Sequence, residues 1–362
     1  MASYLDAPSD LGAATAPERG VLAESMASVR RIGREVAGVA APLVDRDARF
    51  PSEAIAALRR ERLLSPSIPN RLGGLGASLA DLCEMTAALS QHCASTGMIF
   101  SMHQIQVACL VHHAAGTRFF DEFLSACGEQ QLLIASATSE VGTGGDIGTS
   151  IACVVPDGEH VRLHKKCPVV SYAEHADAVL ATARRSNESA NADQVVLLLR
   201  RPNFQLTRTS TWNPLGMRGT CSPGFELMAY ESSDVLLPQP AQLAIAQTVL
   251  PWSHVLWASV WLGIAVAAVE RVRITYRRAA GTLLDGSLPF SAPRVVDAFG
   301  QLDQLRGLVR DALNRIEDSA ASPARRGPTF TMAMNNLKLS GSRLVTSICM
   351  DSLAACGMAG YS

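Results

Sequence analysis

The chain has 362 residues, 48% of them hydrophobic and 18% charged, which excludes a disordered polymer and leaves ample apolar surface for a core spread over two or three domains. Lys and Arg total 32 against 33 Asp and Glu, a net charge of -1, so no global field recruits nucleic acid or an acidic membrane, and binding is expected to be local. The nine cysteines form no Cys-x-x-Cys pair and no Cys/His cluster at zinc-ligand spacing, so no metal site is predicted and reduced thiols in a cytoplasmic protein are expected.

Residues 1–20 are rich in Ala, Ser, Pro and Asp and lack a basic start followed by an apolar run; they are expected to be a flexible leader rather than a signal peptide. From Val21 to about Ala126 the pattern is helical. Apolar residues recur every three or four positions at Val29, Ile32 and Val36, and again at Ala54, Ile55, Leu58 and Leu63. Pro51 marks a helix start, and Ser78 with Asp81 caps another helix running through Leu89. A further helix is predicted from Thr96 to about His113 and carries His103.

Between Leu132 and about Val235 the texture changes to short runs of β-formers, 151–155, 178–181 and 195–199, separated by turns such as Pro156-Asp157-Gly158. Near the start of this zone lies Thr138-Ser139-Glu140-Val141-Gly142-Thr143-Gly144-Gly145-Asp146. Its glycines let a ligand approach the backbone and its hydroxyls can bond a heteroaromatic edge. Glu140 and Asp146 are read as structural, Asp146 capping the loop and Glu140 facing solvent.

Helices return from about Ala244 to Ala279, Pro293 to Ser319 and Thr329 to Leu353, joined by Gly/Pro/Ser-marked connections at 281–289 and 322–328. The apolar stretch 250–269 is interrupted by Pro251, Ser253, His254 and Ser259, which suits a buried bundle helix rather than a membrane span. The predicted domains are therefore a helical one at 21–130, a β-domain at 131–240 and a helical bundle at 241–362.

Three landmarks in this order carry a resemblance: Pro69 to Gly76, Ser136 to Asp146, and Leu215-Gly216-Met217-Arg218-Gly219-Thr220-Cys221-Ser222 ahead of a strand ending in Val235 to Pro238. Together they resemble the acyl-CoA dehydrogenase superfamily over nearly the whole chain. The resemblance implies an α+β multi-domain fold, with an N-terminal helical domain, a middle β-barrel-like domain and a C-terminal four-helix bundle.

It further implies non-covalent FAD between the β-domain and the bundle. Ser136, Thr138 and Ser139 match positions along the flavin's pyrimidine edge, Ser171 matches a hydroxyl beside its central nitrogen, and Gly144 and Gly145 lie where a substrate chain passes. Arg277 matches an arginine that reaches the FAD pyrophosphate of a neighbouring subunit, and Gly357 lies in the family's terminal Gln-x-x-Gly-Gly region. The sequence departs from the pattern at Val169 (usually aromatic), Ala280 (usually Phe) and Ala354 (usually Gln).

The implied activity is α,β-dehydrogenation of an acyl-CoA or acyl-carrier-protein thioester, with an electron-transferring flavoprotein as acceptor and a homodimer or homotetramer as the working unit. The family's base glutamate lies on one of two segments. One is past the Gly-Tyr turn, beyond Ser362, where the sequence stops, so a shortened chain is one explanation for the missing carboxylate; at the other stands Ser253, with His254 beside it as the substitute proton acceptor. Relatives that hydroxylate with oxygen often carry a histidine or asparagine where His103 stands, so a flavin-dependent monooxygenase is the alternative reading, and a non-catalytic homologue the third.

Overall fold

The computed structural model describes residues 16–281, 288–320 and 327–361. Most of the expected leader and most of the two connections predicted at 281–289 and 322–328, with Ser362, lie outside the described residues. Ala16 to Gly20, assigned to the leader from composition, instead open helix α1, Ala16–Ile32. A π-helical segment, Gly33–Ala37, joins it to α2, Gly38–Arg46.

The remaining N-terminal helices are α3 (Ser52–Arg60), α4 (Leu79–Ser90), α5 (Ala94–His113) and α6 (Arg118–Gln130). The cap predicted at Ser78 is present as a reciprocal pair: Asp81 N–H donates to Ser78 Oγ at 3.2 Å, and Ser78 N–H to Asp81 Oδ2 at 2.8 Å. Helix α5 is buried nearly all round, so it runs as the central rod of this domain rather than as a surface helix.

Seven strands follow: β1 (Ile134–Ala137), β2 (Val154–Asp157), β3 (His160–Cys167), β4 (Ala178–Arg184), β5 (Gln194–Arg200), β6 (Phe204–Arg208) and β7 (Phe225–Ser232). They form two sheets. In the order β1-β4-β5, β1 runs parallel to β4 and β5 antiparallel to it, whereas β2-β3-β7-β6 is antiparallel throughout. Strand β3 alternates strictly, with Val161, Leu163, Lys165 and Cys167 inward.

The strand expected at 151–155 is shifted: β2 begins only at Val154. The cause is local. The Glu140 carboxylate takes the amides of Ile151 at 3.1 Å and Ala152 at 2.5 Å, which withdraws them from sheet pairing.

The C-terminal region opens with α7 (Ala241–Ala244), a π-segment (Ile245–Val249) and α8 (Leu250–Ala280), continuous over 40 residues. By length and composition alone this helix could cross a membrane, but here α4, α5, α9 (Ala292–Ala320) and α10 (Pro328–Ala355) pack around it. Helices α8, α9 and α10 are the long bundle helices among the described residues.

The α4–α8 crossing depends on a missing side chain. A Cβ at Gly263 would lie 2.4 Å from Ala87 O and 2.7 Å from Ser90 Cβ. Gly263→Ala is therefore expected to lower stability by about 1–3 kcal/mol, because backbone on the facing helix cannot give way. Urea unfolding reads this, and an unchanged midpoint would mean the two helices approach less closely than described.

Candidate functional site

Two of the three landmarks, the glycine loop and the 215–222 segment, converge on one face of the β-domain, where they meet the 169–171 segment. The glycine loop leaves β1 and is tied across to the end of β3: Ser139 Oγ donates to Val169 O at 2.8 Å. Ser171 follows two residues later, and Ser222 Oγ donates to its Oγ at 2.8 Å. A 3₁₀ turn, Ala173–His175, separates Ser171 from β4, so it belongs to a loop rather than to the strand.

Val169, where the resemblance implied an aromatic, is 42% exposed between the two serines. Gly144 and Gly145 have φ of +64° and +87°, lie at the surface, and have nothing within 4 Å of a built Cβ. The result is a shelf with an apolar centre, hydroxyls on two sides and open backbone beyond. Ser136 and Thr138 are half-buried on the strand and loop that lead to it.

These residues fit an isoalloxazine. Ser139 has spent its proton on Val169 and offers lone pairs, Ser171 receives a proton and retains its own to donate, and Val169 gives a flat ring a contact surface. Two clefts of about 620 Å³ and 580 Å³ lie elsewhere, one beside Phe119 and Asp234 and one between α9 and α10. Neither borders the glycine loop. The polar groups of the shelf are placed by specific hydrogen bonds from Ser139 and Ser222.

Beneath the shelf lies a group that the sequence reading did not single out. Lys165 Nζ is fully buried, donates to Thr182 O at 2.7 Å and Thr182 Oγ1 at 3.0 Å, and sits 3.7 Å from Glu140 Oε2. Burial pushes its pKa down, with Glu140 opposing. Glu140 is thus not solvent-facing as expected but 7% exposed, holding the loop to the domain interior. The expectation for Asp146 fits better, as its Oδ1 accepts from Gly148 N–H at 2.8 Å.

His103 lies at the root of the same loop. It is fully buried; Nε2 bonds Leu64 O at 2.6 Å and Nδ1 accepts from Ile134 N–H at 3.1 Å. Both ring nitrogens are committed to main chain, so this residue sets the entry to β1 rather than meeting a ligand.

Ser253 and His254 lie in α8. Ser253 Oγ donates to Val249 O at 2.5 Å, one turn back, which leaves it no free proton and no basicity. His254 is 6% exposed and faces α10, near Met334 and Lys338. Its Nδ1 is buried without a hydrogen-bond partner. Burial and then Lys338 hold its pKa below the usual imidazole value.

Arg277 is exposed and lies about 36 Å along α8 from Ser253 at 1.5 Å per residue. The two ends of this helix cannot serve one small ligand within a single chain. Gly357 turns the chain after α10 with φ of +59°, at the surface.

Residues 23–119 match the family model for the acyl-CoA dehydrogenase N-terminal domain. The short-chain specific acyl-CoA dehydrogenase of Bos taurus mitochondria is 24% identical over 329 residues, covering 88% of this chain and 76% of that protein. A probable FMNH2-dependent monooxygenase, SfnC of Pseudomonas putida, is 25% identical over 337 residues, covering 88% and 82%. Among solved structures, FMN-bound TdsC of Paenibacillus sp. A11-2, a dibenzothiophene monooxygenase, matches with a TM-score of 0.81 at 20% identity, over 93% of this chain and 88% of that one. That last likeness is one of fold.

Proposed function

Because this chain belongs to the acyl-CoA dehydrogenase superfamily, we propose that it is a flavin-dependent oxidoreductase that introduces an α,β-double bond into an acyl thioester carried on coenzyme A or a carrier protein. The observation that carries this is the tie from Ser139 to Val169, with Ser171 beside it, presenting hydroxyls around an exposed apolar centre. When bound, the flavin supplies the two-electron oxidation. Ser139 and Ser171 orient its ring, Gly144 and Gly145 admit the acyl chain, and His254, beside the family's base position, is the residue we assign as proton acceptor.

FAD is favoured over FMN by Arg277. Its distance from the start of α8 suits a pyrophosphate bound in a neighbouring subunit, which makes the working unit a dimer or tetramer. An electron-transferring flavoprotein is the natural acceptor for such a dehydrogenase.

A second reading, a flavin-dependent monooxygenase, is favoured by the seam location of His254: an imidazole held neutral between α8 and α10 is a weaker base than a desolvated carboxylate. The similarity to SfnC points the same way.

One experiment separates them. Purified protein loaded with FAD is mixed anaerobically with acyl thioesters of graded chain length, and the flavin absorbance is followed. Bleaching is the expected result. No bleaching with any thioester, together with oxygen-dependent product formation from pre-reduced flavin, would replace the dehydrogenase with the monooxygenase; folded protein that retains no flavin would remove both.

A further inference from the structure

We propose that Ser222 is a positioning residue that fixes the Ser171 hydroxyl as an outward hydrogen-bond donor to the central ring nitrogen of the bound flavin. The inference rests on the flavin reading above and concerns a residue that does not itself reach the ring.

A serine hydroxyl has one proton and two lone pairs, and it can donate or accept as its surroundings require. At Ser171 that freedom is restricted. Ser222 Oγ stands 2.8 Å away in a geometry where Ser222 is the donor, so Ser171 cannot give its own proton back. Thr220 Oγ1, 2.8 Å from Ser222 Oγ, donates its own proton to Met217 O at 2.8 Å, and the Thr220 carbonyl lies farther from Ser222 Oγ, at 3.3 Å, than Ser171 does. In this row of hydroxyls the Thr220 proton is spent on Met217 O, and it is the Ser222 proton that reaches Ser171 at the shelf.

The backbone around this row is held in unfavourable conformations. Among the described residues six non-glycine positions have positive φ, and three of them are Tyr172 at +42°, Met217 at +54° and Cys221 at +43°, which flank Ser171, Thr220 and Ser222. Strain of this kind persists only where the surroundings enforce it, and it concentrates at sites that must hold a geometry. The enforcing contacts are present. Tyr172 N–H bonds Thr220 O at 2.8 Å and Cys221 O at 3.1 Å, and the buried Tyr172 hydroxyl donates to Ile134 O at 2.9 Å, at the foot of the glycine loop.

The chemical consequence has a sign. The central nitrogen of an oxidised flavin is an acceptor, and after two-electron reduction it carries a hydrogen and becomes a donor. A hydroxyl held as donor favours the oxidised ring. Freed of Ser222, Ser171 can turn and accept, which favours the reduced ring.

The test is the midpoint potential of FAD on the full-length holoprotein, measured by dye-linked titration for wild type, Ser222→Ala, Ser222→Thr, Ser171→Ala and the Ser171→Ala/Ser222→Ala double variant. Ser222→Ala is expected to shift the oxidised-to-reduced balance up to about tenfold toward reduced, a rise of up to about 30 mV for a two-electron couple. Ser222→Thr should stay at the wild-type value, and adding Ser222→Ala to Ser171→Ala should change nothing further. An unchanged potential in Ser222→Ala, or the same shift with Ser171 already removed, overturns the positioning role while leaving the flavin reading intact. Wild-type protein that binds no FAD overturns the flavin reading instead. Should Ser222→Ala not fold, Ser222→Cys, which leaves a weaker donor at the same place, is expected to raise the potential in the same direction, and no change there overturns the proposal.

Discussion

Glu140→Ala is expected to destabilise the protein by about 3–5 kcal/mol in urea unfolding at neutral pH, the cost of leaving a buried charge without its partner. Two losses combine. Lys165 Nζ, with no exposed surface, keeps only the two Thr182 oxygens, and the amides of Ile151 and Ala152 lose their acceptor. The Lys165→Met/Glu140→Gln pair should cost far less than the sum of its single changes, because the glutamine still serves an amide and no charge remains to be stranded.

The pH dependence of the Glu140→Ala variant follows from the lysine. Its folded pKa is already lowered from 10.5 by burial, so at pH values between the folded and unfolded values the unfolded chain binds more protons and stability rises with pH. The deficit of the variant should therefore narrow in alkaline buffer. A loss below about 1 kcal/mol at neutral pH, as for a surface pair, would contradict the described burial.

His103 gives the second large effect. Burial drives its pKa from 6.5 to about 4, since the ring is sealed between α5 and β1 with both nitrogens in main-chain bonds. Between those two values the unfolded chain takes up a proton that the native ring refuses. Stability is therefore lost as pH falls from 6.5 toward 4, by about 3 kcal/mol for this residue. His103→Gln, whose amide can donate to Leu64 O and accept from Ile134 N–H, should flatten that part of the curve relative to wild type. Urea midpoints at pH 7 and pH 4.5 for the two proteins measure the difference; parallel curves would mean that His103 is accessible to protons in the native state.

Helices were legible because their apolar residues repeat at a single period and their caps are local: Ser78 and Asp81 are three residues apart and form the reciprocal pair that their chemistry predicts. The apolar runs at 178–181 and 195–199 likewise appear inside β4 and β5. The run at 151–155 failed as a strand because a carboxylate eleven residues upstream captured its first amides, a competition that propensity does not register.

In the site, Lys165 carried a usable signal. It occupies an inward position in the alternation of β3, and a charge on the inward face of a strand requires a partner. Ser222 carried none. Its contact with Ser171 spans 51 residues and exists only after two strained loops have been brought together by Tyr172. The seam position of His254 was hidden for a similar reason, since which face of α8 meets α10 depends on the packing of a 40-residue helix enclosed by four others.

The central claim is that a flavin lies on the shelf between Ser139 and Ser171. A structure of the purified protein with FAD bound tests it most directly. The account predicts an isoalloxazine ring against Val169, with hydrogen bonds from its edge and central nitrogen to the hydroxyls of Ser139 and Ser171. A ring seated in the cleft beside Phe119 or between α9 and α10, with the shelf bare, would contradict it.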